Sequence, residues 1–585
     1  MSRNPLVISG LVVLVALAAV LRLRGNDYLL PLQIEPDAHI PVQVTLIEEG
    51  VEDPNRDVNY GKYPHLVART TVALSETPPL LPAEASLADH LERAKDPVLR
   101  VRTAVGWLSL LGVIGTWLLA VPFVGARWAL VAAAFLATSL LAVHFGAQSR
   151  PHGAAVGFFA LCLWACTSYA RRGGVATFAL ASVFFLLAFG TLQSALALGF
   201  PLLVAHLLAS RSDRGARLWA LVLPAAALVL SVAIFSPFFL ASSEGVDGAQ
   251  VELKDSELEQ AGHKLIFDRF NGRGFGKLAI ALWNWEPALL IGLVLALLTW
   301  LSTRTRRDFQ RTESSAVLVV LSFLIPYLAV CGAYERVYER FLLPVLPVFA
   351  VFVAWGLRLL ARLGPRPPII GLSTILLLAP AAIAWRLGEI RVAPSTQELA
   401  AGWLEQNSEV EDRVLVTLDL RLPLFETYVS EVEEQGGLPD VQPAQDRIQW
   451  TEYQHHILGP ERPEDARNLV WMPVGKQAEL LPKMNQDPAR YVERRFGDLL
   501  VAMLFDRGRW HPSLGKIHAE FRKQGKLLAR FSPDGTDALS EHPLAYQDET
   551  CPGNVSFAWR VWNAERMGPV IEIIRPPHSQ PPSRR

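Results

Sequence analysis

Cysteine is nearly absent: Cys162, Cys166, Cys331 and Cys551 are the four in 585 residues, too few and too scattered for a disulfide framework. Charge is scarce as well, 19% of residues against 51% hydrophobic, with a formal net charge of −1. A net charge so near zero says nothing about partners. No Gly-rich phosphate loop, zinc-ligand spacing or clustered basic patch occurs, which argues against nucleotide-dependent and nucleic-acid-binding classes. Cys162 and Cys166 share a helix face at i, i+4. With no His or acid beside them they read as small apolar packing rather than metal ligands.

The scarcity of charge is uneven. Up to about Arg391 apolar runs dominate and set the mean hydropathy of +0.26; beyond it the composition is that of a soluble domain. A hydrocarbon layer about 30 Å thick needs roughly 20 apolar helical residues. Candidate spans lie at 5–22, 104–124, 127–147, 153–170, 175–191, 193–210, 217–240, 278–301, 315–333, 341–361 and 368–386, about eleven in all. The pair 175–191 and 193–210 is divided only by Gly190, Thr191, Gln193 and Ser194, which suggests a tight hairpin. The fold class expected is therefore an α-helical polytopic membrane protein with a C-terminal α/β soluble domain. The domains expected are a transmembrane part over 1–390, an α/β domain over 391–570 and a disordered Pro-rich tail over 571–585.

Lys and Arg in short loops stay on the cytoplasmic side. Arg127, Arg171, Arg172, Arg211, Arg214, Arg217, the stretch "STRTRRDFQR" from Ser302, Arg362 and Arg366 all fall on one side of this arrangement. Segment 23–103, the turn "AQSRPH", loop 241–277, "YERVYER" and the C-terminal region fall on the other, extracytoplasmic side. "AAVLRLRGN" is a poor cleavage site, so the first span reads as a retained anchor in a plasma or inner membrane.

Segment 23–103 is too long for a simple connector. "HIPVQVTLIEEG" combines a helical stripe of Ile40, Val44 and Ile47 with Pro41 at its start, which predicts a helix lying along the membrane surface. "NYGKYPHLVARTTVAL" predicts a turn followed by a second short helix. Just before the first of these, "LQIEPDAHIPVQ" sets Glu35, Asp37 and His39 within five positions. A carboxylate at the membrane surface loses solvation, which moves its pKa toward the range useful for proton abstraction. The same three residues are candidate ligands for a divalent cation, although alternating ligands in an extended loop make a poor cage without further donors. Solvated loop residues are the third reading.

"LRLRGNDYLLPLQIEPDAH", "NYGKYPHL", "HFGAQSRPHGAAVGFFALCLW" and "YERFLLPVLPVFAVFVAWGL" follow one another in the order of known motifs. Over roughly residues 5–390 the chain resembles polytopic GT-C glycosyltransferases, above all the protein O-mannosyltransferase and aminoarabinose-transferase superfamily. The resemblance implies an enzyme, a hexosyl or pentosyl transferase, that takes a sugar from a polyprenyl-phosphate donor outside the cytoplasm by an inverting single displacement. It implies that Asp37, which matches the acid of the family's "hPDE" pattern, is the catalytic base. The next family position is usually Glu and here is Ala38, a departure that Glu35 or His39 would have to make good.

Donor phosphate needs cations where water is scarce. Arg150 and His152 in "SRPH" and Arg340 in "YERF" stand at helix ends on the side where Arg is disfavoured without a reason. Snorkelling to the interface is the alternative for Arg340. Lys62, Tyr63 and His65 in "YGKYPH" complete the candidate substrate-binding set.

Loop 241–277 mixes charge with glycine and reads as a cover for the site or as a plain connector. In the C-terminal region "STQELAAGWLEQN" predicts a helix, and "DRVLVTLDL", "RNLVWMPV", "GKLLARFS" and "PVIEIIR" predict strands. Nothing there forms a nucleophile, base and orienter set. The partners expected are a lipid-linked sugar donor, membrane lipids and an acceptor of lipid, glycan or protein chemistry, with no nucleic acid. Two other readings stand beside the transferase. One is a transporter or flippase of a lipid-linked glycan, disfavoured by spans almost free of charge. The other is an inactive scaffold relative, which Ala38 keeps open.

Overall fold

The computed structural model describes residues 4–30, 39–48, 50, 63–77, 87–209, 216–236, 252–254, 257–260, 263–302, 311–363, 366–416, 420, 422–424, 467–471, 499–504, 518–519, 521–534 and 556–575. Asp37, Glu35, Lys62 and the 571–585 tail beyond Arg575 lie outside them, and of His39 only the backbone is described.

The first half of the chain is helical. α1 (Pro5–Leu23) is followed by two short helices, α2 (His39–Glu48) and α3 (Leu66–Leu74), where surface helices were expected. α4 (Leu87–Thr138), α5 (Leu140–Phe145), α6 (Pro151–Arg172), α7 (Val175–Phe189), α8 (Gly199–Ala209) and α9 (Ala216–Phe235) follow. α10 (Arg273–Trp285), α11 (Pro287–Ser302), α12 (Arg311–Ala333), α13 (Leu346–Leu363) and α14 (Arg366–Val392) complete the bundle. Among the described residues six helical stretches are long and apolar enough to cross a membrane, or seven if one bent pair counts as a span. Three shorter apolar helices, Val175–Phe189, Gln193–Ala209 and Leu221–Phe235, accompany them.

The pieces differ from the sequence reading where the backbone breaks. The run Leu87–Thr138 is two helices across a kink at Gly125, whose φ of 77° lies in the left-handed region open to glycine; the expected spans 104–124 and 127–147 stay distinct there, the first starting earlier and the second ending at Thr138. The expected span 278–301 is two helices bent by 113° at Glu286. Pro287 cannot donate to the preceding turn, so α10 ends there and α11 begins on the proline. Loop 241–277 holds a three-stranded antiparallel sheet of β1 (Glu252–Lys254), β2 (Glu257–Gln260) and β3 (His263–Ile266), which charge and glycine content had hidden.

Glycine sets the closest approach in the bundle. A Cβ on Gly157 of α6 would stand 2.6 Å from Leu111 Cβ and 3.0 Å from the Gly112 nitrogen of α4. The helices therefore touch backbone to backbone, the packing small residues permit within a membrane.

After α14, α15 (Thr396–Asn407) starts in a capping box: Ser395 Oγ accepts from the Glu398 N–H at 3.1 Å while Glu398 accepts from the Ser395 N–H at 2.7 Å. The sheet that follows contains β4 (Arg413–Val416), β5 (Asn468–Trp471), β6 (Leu499–Leu504), β7 (Lys526–Phe531) and β8 (Val570–Arg575), in the order β5-β4-β6-β8-β7. β4 runs parallel to both β5 and β6, and β8 runs antiparallel to β6 and β7. Four of these strands were expected; β6 was not. Its "LLVAML" is a continuous apolar run, which periodicity alone does not separate from helix. α16 (Phe557–Asn563) joins this region to the bundle by packing on α14 and α10.

Candidate active site

The site is built where α4 stops. The α4 helix ends at Thr138, and its freed carbonyls at Leu136 and Ala137 accept from the buried guanidinium of Arg22 at 3.1 and 3.0 Å. One residue on, Ser139 caps α5, its Oγ accepting from Ala142 N–H at 3.0 Å. The same hydroxyl donates to Glu286 Oε1 at 2.6 Å, which also accepts from Leu141 N–H at 2.8 Å. The break at Glu286 and the break at Ser139 thus hold each other, and the short α5 is aimed by a buried carboxylate.

α5 carries His144 into an aromatic and cationic corner. Its ring lies 5.0 Å from Trp285, 5.3 Å from Phe145 and 5.7 Å from Phe557, and Phe557 stacks on Trp285 at 3.9 Å. Phe557 belongs to α16, so the C-terminal region supplies part of the wall. His144 Nε2 is 2.8 Å from Gln148 Nε2, and its Nδ1 is 3.4 Å from Arg391 Nη2. The guanidinium of Arg391 stands 4.9 Å from the Tyr28 ring and that of Arg102 stands 4.2 Å from it. Arg102 donates to the carbonyls of Asn26 and Tyr28 at 2.7 and 2.8 Å. The buried Arg102 and Arg391 thus share the Tyr28 ring beside His144.

Several residues expected from sequence meet here. Arg150 is fully buried as the N-cap of α6, and His152 follows in its first turn. Tyr63 meets His152 edge-on at 6.2 Å, and Phe145 lies 6.2 Å from the same imidazole. Gln43 of α2 donates to the Tyr63 carbonyl at 2.9 Å. The backbone N–H groups of His65 and Leu66, which open α3, donate to Phe235 and Gly190 carbonyls at 2.7 and 3.1 Å, so the ends of α9 and α7 satisfy them. His65 itself is buried.

Arg340 lies in a 3₁₀ turn, Glu339–Val345, that packs against α5 and α6. Its guanidinium covers the Tyr338 ring at 4.2 Å, and it is buried beside the equally buried Glu339. Buried cations of this kind are costly in an apolar body and mark ligand or ion sites. Among the described residues no group of three metal-ligating side chains occurs; the Asp37, Glu35 and His39 set lies outside that description.

Sequence reasoning missed Arg102, His144, Gln148, Glu286 and Arg391. His144 and Glu286 were visible as lone ionisable residues inside apolar runs, a signal that marks function in membrane helices. Arg102 and Arg391 sit where a span begins or ends, and nothing in one sequence separates such residues from snorkelling cations.

An apolar cavity of about 210 Å³ lies alongside, bordered by Leu140, Trp285, Glu286, Leu376 and Pro380. Residues 77–240, which contain α4, α5, Arg150 and His152, match the family model of dolichyl-phosphate-mannose-protein mannosyltransferases. Over that stretch the chain resembles this family of mannosyltransferases. Among solved structures it is similar to the ArnT of Cupriavidus metallidurans bound to undecaprenyl phosphate, at 14% identity over 86% of this chain and 94% of that one, with a TM-score of 0.43. It is similar also to the oligosaccharyltransferase AglB of Archaeoglobus fulgidus in complex with an inhibitory peptide and a dolichol-phosphate, at 11% identity over 91% of this chain and 73% of that one, with a TM-score of 0.42. No curated protein matches the chain.

Proposed function

We propose that this protein is a membrane glycosyltransferase that moves a sugar from a polyprenyl-phosphate donor to an acceptor hydroxyl on the extracytoplasmic face. The observation that carries the reading is the meeting of the buried Arg102 and Arg391 on the Tyr28 ring, with Arg391 3.4 Å from His144, within and beside the segment that matches the family model. A phosphomonoester leaving group carries charge that preorganised cations stabilise best where water is excluded. The neighbouring apolar cavity suits an isoprenoid chain. Arg340 and His152 extend the polar lining, with Tyr63 and His65 walling it; Lys62, next to Tyr63 in the sequence, is a further candidate for donor binding.

In this reading Asp37 accepts the proton of the acceptor hydroxyl, and the acceptor oxygen attacks the anomeric carbon from the face opposite the phosphate. The bond from that carbon to the phosphate oxygen breaks, its electron pair leaves with the polyprenyl phosphate, and the configuration inverts. Glu35 and His39 stand close enough in sequence to orient the acceptor or to help hold a divalent cation with Asp37. A lipid, a glycan or a protein would serve equally as acceptor in this chemistry.

The test is incubation of the purified protein with a panel of labelled polyprenyl-phosphate sugars, scoring hydrolysis and transfer. Transfer from at least one donor is expected. Asp37→Asn should lower transfer by about 10²–10⁴, the usual cost of losing a general base, while leaving donor binding intact. Arg340→Ala should weaken donor binding instead. Equal transfer by wild type and Asp37→Asn at saturating donor would remove Asp37 from the role of base.

A further inference from the structure

A second group of charged residues stands apart from the basic corner, at the junction of α2, α3 and α4. Arg100 of α4 grips Glu48, the last residue of α2, through both nitrogens of its fork: Nη1 to Oε1 at 2.6 Å and Nη2 to Oε2 at 3.0 Å. Its Nε donates to Asp96 one turn earlier at 2.8 Å, and Nη1 reaches Ser75 Oγ at 3.2 Å at the end of α3. Thr77 Oγ1 donates to Glu48 Oε1 at 2.9 Å. The paired side chains are only 11% and 10% exposed, so solvent screens them far less than an ordinary surface ion pair.

Apolar contact already holds α2 down. Ile40 and Val44 are buried with Val67 of α3, Val101 and Val105 of α4 and Ala154 of α6. Such contact is non-directional and leaves a short helix free to slide or rotate on its support. A bidentate guanidinium–carboxylate pair is directional and sets one register. From α2 the path to the basic corner is short: Gln43 holds the Tyr63 carbonyl, and Tyr63 meets His152. At its other end α2 begins at His39, two residues after Asp37.

We propose that Glu48 and Arg100 are positioning residues, a clamp that fixes α2, the helix that begins two residues after Asp37 in the sequence, beside the buried basic corner. The clamp's part in transfer rests on the proposed function, with Asp37 as base; its part in fixing α2 does not. Placing a catalytic group wrongly by about 1 Å can cost on the order of 10²-fold in rate.

The experiment pairs a distance measurement with kinetics on the full-length protein. Spin labels at Thr45→Cys and Ser556→Cys should give one narrow distance distribution in the parent, a broadened one in E48Q, and a narrow one again in E48R/D96N/R100E, where the exchanged pair can re-form with no like charge at position 96. In the unlabelled protein E48Q should lower kcat about 10-fold with the donor KM changed less than about 2-fold, and E48R/D96N/R100E should recover most of the loss. A distribution that stays narrow in E48Q overturns the clamp. Broadening with an unchanged kcat overturns its role in transfer. If the parent transfers no sugar from any donor, it is the proposed function that fails, and the distance distributions still decide the clamp.

Discussion

At the scale of single residues the molecule repeatedly sets one ionisable side chain to hold backbone that a helix break has released. Arg22 does so for the carbonyls at the end of α4 and Glu286 for the N–H of Leu141. In the C-terminal sheet Glu572, almost fully buried on β8, accepts from His518 Nε2 at 2.9 Å and Arg530 Nη1 at 2.8 Å, with Arg522 Nε at 3.3 Å. Burial alone would raise its pKa, but the hydrogen bond from His518 and the charges of His518, Arg522 and Arg530 outweigh it and hold the carboxyl below its ordinary 4.5. A depressed folded-state pKa contributes stability that is complete above the unfolded value and is lost as pH falls through the folded one. The thermal stability of the C-terminal region should therefore fall as pH drops below about 4.5. Glu572→Gln should be less stable at neutral pH and should lose that part of the acid dependence; an unchanged acid profile would show that other carboxylates set it.

At the scale of elements, helix breaks and close helix contacts decide the geometry. Gly157→Ala places a methyl 2.6 Å from Leu111 Cβ and against the α4 backbone, neither of which is the far end of a flexible side chain. Overpacking of this sort costs about 1–3 kcal/mol, and a lower melting temperature in detergent, by several degrees, is the expected reading. Glu286→Met keeps the volume but loses the acceptor shared by Ser139 Oγ and Leu141 N–H. A buried donor left unsatisfied costs about 1–3 kcal/mol. The loss should appear both as reduced thermal stability and, because α5 carries His144, as weaker donor binding. Retained donor affinity with reduced stability would confine Glu286 to holding the fold.

At the scale of the whole molecule, α1 to α14 form an integral membrane body and the five-stranded sheet packs on it through α15 and α16. The distribution of Arg and Lys among the short loops predicts that the sheet lies outside the cytoplasm. Single cysteines at Thr305, in the most basic loop, and at Asn407, on the exposed end of α15, test this with a membrane-impermeant reagent on intact cells. Labelling of Asn407→Cys and protection of Thr305→Cys are expected. Equal protection of both would reverse or break the arrangement. The contact of Phe557 with Trp285 and His144 sets part of the C-terminal region against the candidate site.

What the sequence determined by itself was whatever depends on short-range periodicity and solvent: the apolar helices, the short helices at His39–Glu48 and Leu66–Leu74, the capped start of α15, four of the five strands, and the places of Arg150, His152 and Arg340 at helix ends. These follow from transfer free energy and local hydrogen bonding, which act over a few residues. Only the tertiary structure decided that α4 runs on from Leu87, that the span at 278–301 breaks at Glu286, and that Arg102, His144 and Arg391 share one corner. Arg102 and Arg391 are 289 positions apart in the chain, and their common environment is set by how α4 and α14 pack with α5 and the Tyr28 turn. Their meeting is a property of the packed helices, because no local pattern records which cations will be driven together when the apolar faces around them close.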